Sequence, residues 1–161
     1  MKVEYISPFV EAARSCFETL IGQNPARGAL SARPQLFTTQ QINIVCGITG
    51  PVEGLVIYGM TIVTADRIAS KMIGAPVVTF DNLAASAIAE LGNMVSGNAA
   101  SLLAASGYAV DITPPTIIRG QNVKITTLSI PALVIPLELP EIGTFEVNVS
   151  LQERQRLPMA A

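Results

Sequence analysis

The chain has 161 residues, half of them apolar and 14% charged, with a net charge of −2 and no histidine. That length suits one domain, and that apolar content supplies a core and excludes a disordered polymer. The missing imidazole excludes His-based triads, HExxH metal sites and imidazole acid–base chemistry, while the acidic balance leaves no basic field for a nucleic-acid backbone.

No apolar run approaches the ~20 uncharged residues of a membrane span. The opening "MKVEYISPFVEAARSCF" is interrupted by Glu4 and Glu11, so it lacks the apolar stretch of a secretory signal. Cys16 and Cys46 are too few for a disulfide framework or a zinc site and read as buried thiols of a cytoplasmic protein.

In chain order, Ser7-Pro8 signals a helix start, with Ser7 as N-cap and Pro8 in the first turn, and the helix runs to Leu20 before Gly22. "RGALSARPQLFT" is strand-like and bent at Pro34. "INIVCGITG" and "GLVIYGMTIV" form a hairpin through Gly50-Pro51. Thr64 precedes a short helix, "ADRIASKMIG", closed by Gly74, and "PVVTF" is an extended connector. Asp81 caps a long helix over residues 82–106, stopped by Gly107. "YAVDIT", "TIIRG", "NVKITTLSI", "ALVIPLEL" and "GTFEVNVSLQE" then read as strands, and "RQRLPMAA" as a frayed end.

Helix, strands, short helix, long helix and strands make an α+β fold with an antiparallel sheet and long helices on one face. The halves look alike. "SPFVEAARSCFETLIG" matches "SAIAELGNMVSGNAASLLAASG" in pattern, and "GPVEGLVIYGMT" matches "LPEIGTFEVNVS". This predicts a pseudo-two-fold repeat of helix-plus-hairpin units in one domain over residues 1–152, with half-repeats of about 5–75 and 82–152 and a flexible tail over 153–161.

The long helix carries an unusual polar line. With Ser86 at zero on a helical wheel, Glu90 falls at about 40°, Asn93 at about −20° and Gly97 at about 20°. Ala84, Ile88, Leu91, Val95, Ala99 and Leu102 occupy the opposite side and face the sheet. Gly97 and Ala100 keep the surface beside Asn93 low. Interior Gly92 and Gly97 each cost about 1 kcal/mol relative to Ala, so something other than helix propensity favours them. An outward Glu and Asn are most often solvated residues. Glu90 has no cation three or four positions away to serve the helix, however.

On these residues the chain resembles the CheC/CheX/FliY phosphatases of bacterial chemotaxis, and their CheX branch most. The family motif places Asp or Ser, then Glu, then Asn along one helix, with a proline following. Here the matching residues are Ser86, Glu90, Asn93 and the Pro114-Pro115 pair, with Pro115 one residue short of the family spacing. "MKVEYISPFVEAA", "RGALSARPQ" and "ELGNMVSGNAA" extend the likeness over nearly the whole chain. The first half offers Ser7, Glu11 and Arg14, so the resemblance implies one working site and a degenerate first copy, with Arg14 a surface or ion-paired side chain.

The resemblance implies hydrolysis of the acyl phosphate on a CheY-like response regulator. Asn93 orients the attacking water and Glu90 pairs with a lysine of the regulator. Ser86 either hydrogen-bonds near the site or only completes the ridge; Gly97 belongs to the partner surface, and Pro114 and Pro115 shape the flanking loop. The protein needs no cofactor of its own, since Mg²⁺ sits on the regulator. It also implies a homodimer joined by sheet edges, for which "INIVCGI" and "ALVIPLEL" are candidates. The alternative is a non-catalytic module of the same fold that binds a regulator or a flagellar-switch component.

Overall fold

The computed structural model describes residues 2–36, 38–125 and 130–155. α1 spans Val3–Ile21, a turn longer at its start than the Ser7-Pro8 signal implies. The reason is tertiary. Tyr5 and Ile6 are buried and extend the apolar face, while Lys2, at the cap position, makes no side-chain capping bond. Ser7 is inside the helix, where its hydroxyl donates to the Val3 carbonyl at 3.1 Å. Pro8 removes only one early backbone bond, which those contacts offset. Gly22, at φ 72°, ends α1, and its N–H donates to the Glu18 carbonyl at 3.0 Å.

Two short strands follow, β1 (Ala26–Arg27) and β2 (Ser31–Arg33), on either side of residues 28–30. β3 (Ile42–Thr49) and β4 (Val52–Met60) form the expected hairpin. α2 (Ile62–Ile73) starts before Thr64: Thr61 is its N-cap and accepts from the Thr64 N–H at 3.1 Å. α3 (Asn82–Ala105) is capped by Asp81, whose carboxylate accepts from the Ala84 N–H at 2.9 Å. Then come β5 (Asp111–Ile112), β6 (Thr116–Arg119), β7 (Ala132–Leu139) and β8 (Gly143–Glu153). The strand expected over "NVKITTLSI" does not form in its described part, 122–125 and Ile130, and residues 126–129 lie outside the described residues. β8 runs through Glu153, and of "RQRLPMAA" only Arg154 and Gln155 fall inside them.

The strands form one antiparallel sheet in the order β1-β7-β8-β4-β3-β5, with β2 further along β7 and β6 further along β3. This order is symmetric about the β4–β8 pairing, as two copies of helix, short strands and hairpin require. The short strands are exchanged: β1 and β2 close on the second hairpin, β5 and β6 on the first. This corrects the expected edges. "INIVCGI" and "ALVIPLEL" each have neighbours on both sides, and the outer positions belong to the short strands. The apolar content of β3 and β7 is used within the sheet, and short edge strands offer little to pair with.

One face of the sheet carries the helices. Phe145 on β8 meets Phe17 of α1 edge-on with centroids 4.9 Å apart and stacks on Tyr58 at 5.5 Å. Alternate residues Ile42, Ile44, Cys46 and Ile48 of β3 join this core. The reverse face holds a smaller cluster of Leu36, Ile57 and Ala132. Both cysteines are free and buried, and burial pushes their thiols up, which makes them packing groups. No helix of the described residues is long and apolar enough to cross a membrane.

The chain's two ends are tied at Glu153, whose carboxylate accepts from Lys2 Nζ and from the Tyr5 hydroxyl. These two donors, Lys2 foremost, hold the Glu153 carboxyl below its ordinary value. Burial, and then the bond to Glu153, pushes the Tyr5 phenol up to about 12. The lowered carboxyl stabilises the fold above the unfolded carboxylate pKa, and that contribution is lost as pH falls through the folded value. The raised phenol contributes below about pH 10 and is lost as pH rises through its folded value. In urea titrations, Glu153→Gln should therefore be less stable than wild type at neutral pH, with the two curves converging below about pH 4. A gap that persists undiminished in acid would remove this tie from the stability of the fold.

Candidate functional site

α3 owes its position to small residues. Gly92 is buried against β3, and a Cβ there would lie 2.4 Å from the Ile44 Cγ2 methyl. Four residues on, buried Ser96 holds its hydroxyl 2.8 Å from that of Tyr58 on β4. On the flank towards α1, the Asn98 amide donates to Cys16 Sγ at 3.3 Å. The buried arc is thus Ala84, Ile88, Leu91, Gly92, Val95, Ser96, Ala99 and Leu103. It includes three residues that the apolar pattern does not mark, and Leu102 is only half-buried.

The opposite arc carries the polar line. Ser86, Glu90 and Asn93 are exposed, and Gly97 is half-buried. The first three line a shallow cleft of about 500 Å³ with Ala89 and with the 112–115 segment between β5 and β6. The structure thus brings together five of the six expected residues: Ser86, Glu90, Asn93, Pro114 and Pro115. Gly97 lies a turn beyond, outside the cleft wall, and a Cβ there would meet nothing within 4 Å.

The far wall is held by a contact that sequence reasoning missed. Thr113 donates its N–H to the Gly47 carbonyl at 2.9 Å and accepts from the Gly47 N–H through its hydroxyl at 2.8 Å. A Cβ on Gly47 would sit 2.9 Å from Thr113 Cγ2, so the glycine in the middle of β3 makes room for the loop. The two prolines after Thr113 have no N–H to give the sheet and restrict Thr113 and Pro114 to extended backbone. The edge therefore breaks between β5 and β6 and forms a stiff wall beside α3. A glycine amid "INIVCGITG" and a Thr before Pro-Pro were the available signals.

The first copy has the equivalent place. Ser7, Glu11 and Arg14 are exposed on α1 and line a wider cleft of about 610 Å³ with Val10, Leu133 and Ile135. Arg14 is a surface side chain whose Nε donates to Asn24 Oδ1 at 2.8 Å, and it pairs with no carboxylate among the described residues. Among the described residues, no three His, Cys, Asp or Glu side chains group as metal ligands.

Comparison with known proteins points one way. A family model described as chemotaxis phosphatase CheX matches residues 42–138. The CheY-P phosphatase CheX of Thermotoga maritima is 31% identical over 153 residues, covering 94% of this chain and 98% of that protein. A chain in the crystal structure of the CheX–CheY–BeF3–Mg²⁺ complex from Borrelia burgdorferi is 34% identical, with a TM-score of 0.81 over 94% of this chain and 100% of that one. A CheC-like superfamily protein from Shewanella sp. PV-4 shares the fold at 22% identity, with a TM-score of 0.85 over 94% of this chain and 99% of its own.

The two interior glycines of α3 should behave oppositely. Gly92→Ala gains about 1 kcal/mol of helix propensity but overpacks Ile44, which costs about 1–3 kcal/mol and falls at the upper end for so close an approach. Gly97→Ala meets open space and keeps the gain. Thermal unfolding should lower the midpoint of Gly92→Ala and leave that of Gly97→Ala equal to or above wild type; a stabilised Gly92→Ala would show that the helix has room to move.

Proposed function

Because the chain belongs to the CheX family of chemotaxis phosphatases, we propose that it dephosphorylates a phosphorylated CheY-type response regulator, using Asn93 and Glu90. The reading is carried by one observation. On a helix whose opposite arc is packed against its own sheet, an amide and a carboxylate stand exposed on the same wall of one cleft.

The reaction is attack of water on an aspartyl phosphate. The bond from phosphorus to the regulator's carboxylate oxygen breaks, releasing inorganic phosphate and restoring the aspartate. The acyl phosphate is already activated, and Mg²⁺ on the regulator offsets the charge on the phosphoryl oxygens. What remains is to place the water, a positioning task. Asn93 suits it: its carbonyl oxygen accepts a hydrogen bond from the water and turns an oxygen lone pair towards phosphorus, at any pH, because an amide does not titrate.

Glu90, one helical turn away, pairs with a lysine beside the phosphorylated carboxylate and fixes the register in which the amide enters. Ser86 continues the ridge, and the Thr113–Pro115 wall limits how the regulator can lie against it. In the first copy Arg14 occupies the amide's position. A guanidinium has no acceptor atom, so it cannot orient water in this way, and that cleft is the degenerate one. A homodimer formed through sheet edges would have to use the short outer strands.

Decay of phosphorylated regulator, followed by phosphate release across a range of regulator concentrations, separates the two roles. Asn93→Ala should lower kcat by roughly 100-fold with little change in KM. Glu90→Ala should weaken binding of the regulator by about 2–5 kcal/mol. Wild-type turnover by Asn93→Ala would end the catalytic assignment of this amide, and a wild-type chain that bound the regulator without speeding phosphate release would leave docking alone.

A further inference from the structure

The ridge of α3 does not stop at Ser86. One turn nearer the helix start, Leu83 lies at about 60° on the same wheel, within about 20° of Glu90 and roughly 10 Å from it along the axis. Leu83 is 60% exposed, and Val78, in the connector leading into α3, is 90% exposed. Both line a shallow concavity of about 320 Å³ that also has Ile73, Pro76 and Val77 in its wall. They are two of the five large apolar side chains left exposed among the described residues. Asp81 is engaged as the helix cap, so the carboxylate nearest in sequence points at the backbone of α3.

A specific protein interface covers about 800 Å² on each partner, far more than a cleft spanning two helical turns. The contact made through Glu90 and Asn93 must therefore continue onto neighbouring surface. Past Asn93 the ridge offers Gly97 and then Ser101, whose hydroxyl is turned back to the Gly97 carbonyl at 3.1 Å. Before Ser86 it offers Leu83 and, beside it, Val78. Interfaces concentrate their energy in a few residues that become fully desolvated, and the helix start is the end of the ridge with large exposed apolar side chains to desolvate.

We propose that Leu83 and Val78 form an apolar anchor that seats an exposed apolar side chain of the response regulator next to its phosphorylated pocket. The anchor rests on the regulator-phosphatase reading, and it fixes the polarity of docking. The regulator's pocket covers Asn93, and its apolar flank extends towards the start of α3. A Leu at this place contributes to complex formation alone, since it is solvated in the free protein.

The test uses the full chain and CheY from the same organism, activated with beryllofluoride and Mg²⁺ for titration calorimetry and phosphorylated for turnover. Leu83→Ala/Val78→Ala should raise both Kd and KM about tenfold, with kcat within twofold and the melting temperature unchanged. Leu83→Met should restore most of the affinity. Unchanged Kd and KM in the double variant, alongside impaired turnover by Asn93→Ala, would overturn the anchor and leave the phosphatase reading standing. Phosphate release no faster with the wild-type chain than with the regulator alone would overturn that reading instead. A shift in self-association on sedimentation with Kd unchanged would assign the patch to a second copy of the chain and also overturn the proposal.

Discussion

The closest approach between α3 and the sheet sets the rotation of that helix, and through it the orientation of every candidate site residue. Gly92 admits the Ile44 methyl where any side chain would collide, and Ser96 finds the Tyr58 hydroxyl one turn later. Packing interiors tolerate little displacement, so these two contacts leave the helix one azimuth. At that azimuth Ser86, Glu90 and Asn93 face the 112–115 segment across a cleft. The segment is seated by the same strand, since Gly47 of β3 holds Thr113 as Ile44 holds α3. Both walls are therefore referenced to β3, and their separation does not depend on a flexible loop.

Such a frame suits chemistry that consists of placement. A chain without histidine has no imidazole to offer as a base, and an amide on a fixed helix needs none where the partner brings an activated phosphate and a metal. The pseudo-symmetry produces a cleft beside each of the two helices, and at the position the repeat makes equivalent they differ in hydrogen-bonding capacity. Asn93 can accept a hydrogen bond from water. Arg14 can only donate, and it donates to Asn24.

Much of this is legible in the sequence because it depends on local signals. Asp81 and Gly107 bracket α3, Gly50-Pro51 marks the first hairpin, and the wheel angles of Glu90 and Asn93 follow from helix geometry alone. The repeat is legible too, since each half reproduces the order helix, short strands, hairpin. What escaped is tertiary. α1 begins at Val3 because distant Glu153 holds Lys2 and Tyr5. Ser96 and Gly92 look like part of the polar or small surface until the sheet behind them is known. β3 and β7 read as edges because apolar strands give no hint that two- to four-residue strands will cover them. Gly47 reads as a weak point in a strand, and only the position of Thr113 explains it.

The exchange of short strands between the halves bears on how the molecule is made. As the chain leaves the ribosome, the first hairpin is complete at Met60, yet the flank of β3 stays bare until β6 has been synthesised, and β1 and β2 have no strand to join until β7 follows. A nascent chain of that length presents unpaired backbone and apolar strand surface together, the state most open to aggregation and to capture by chaperones. In a fold built from two like units with exchanged edges, neither half closes before the other exists.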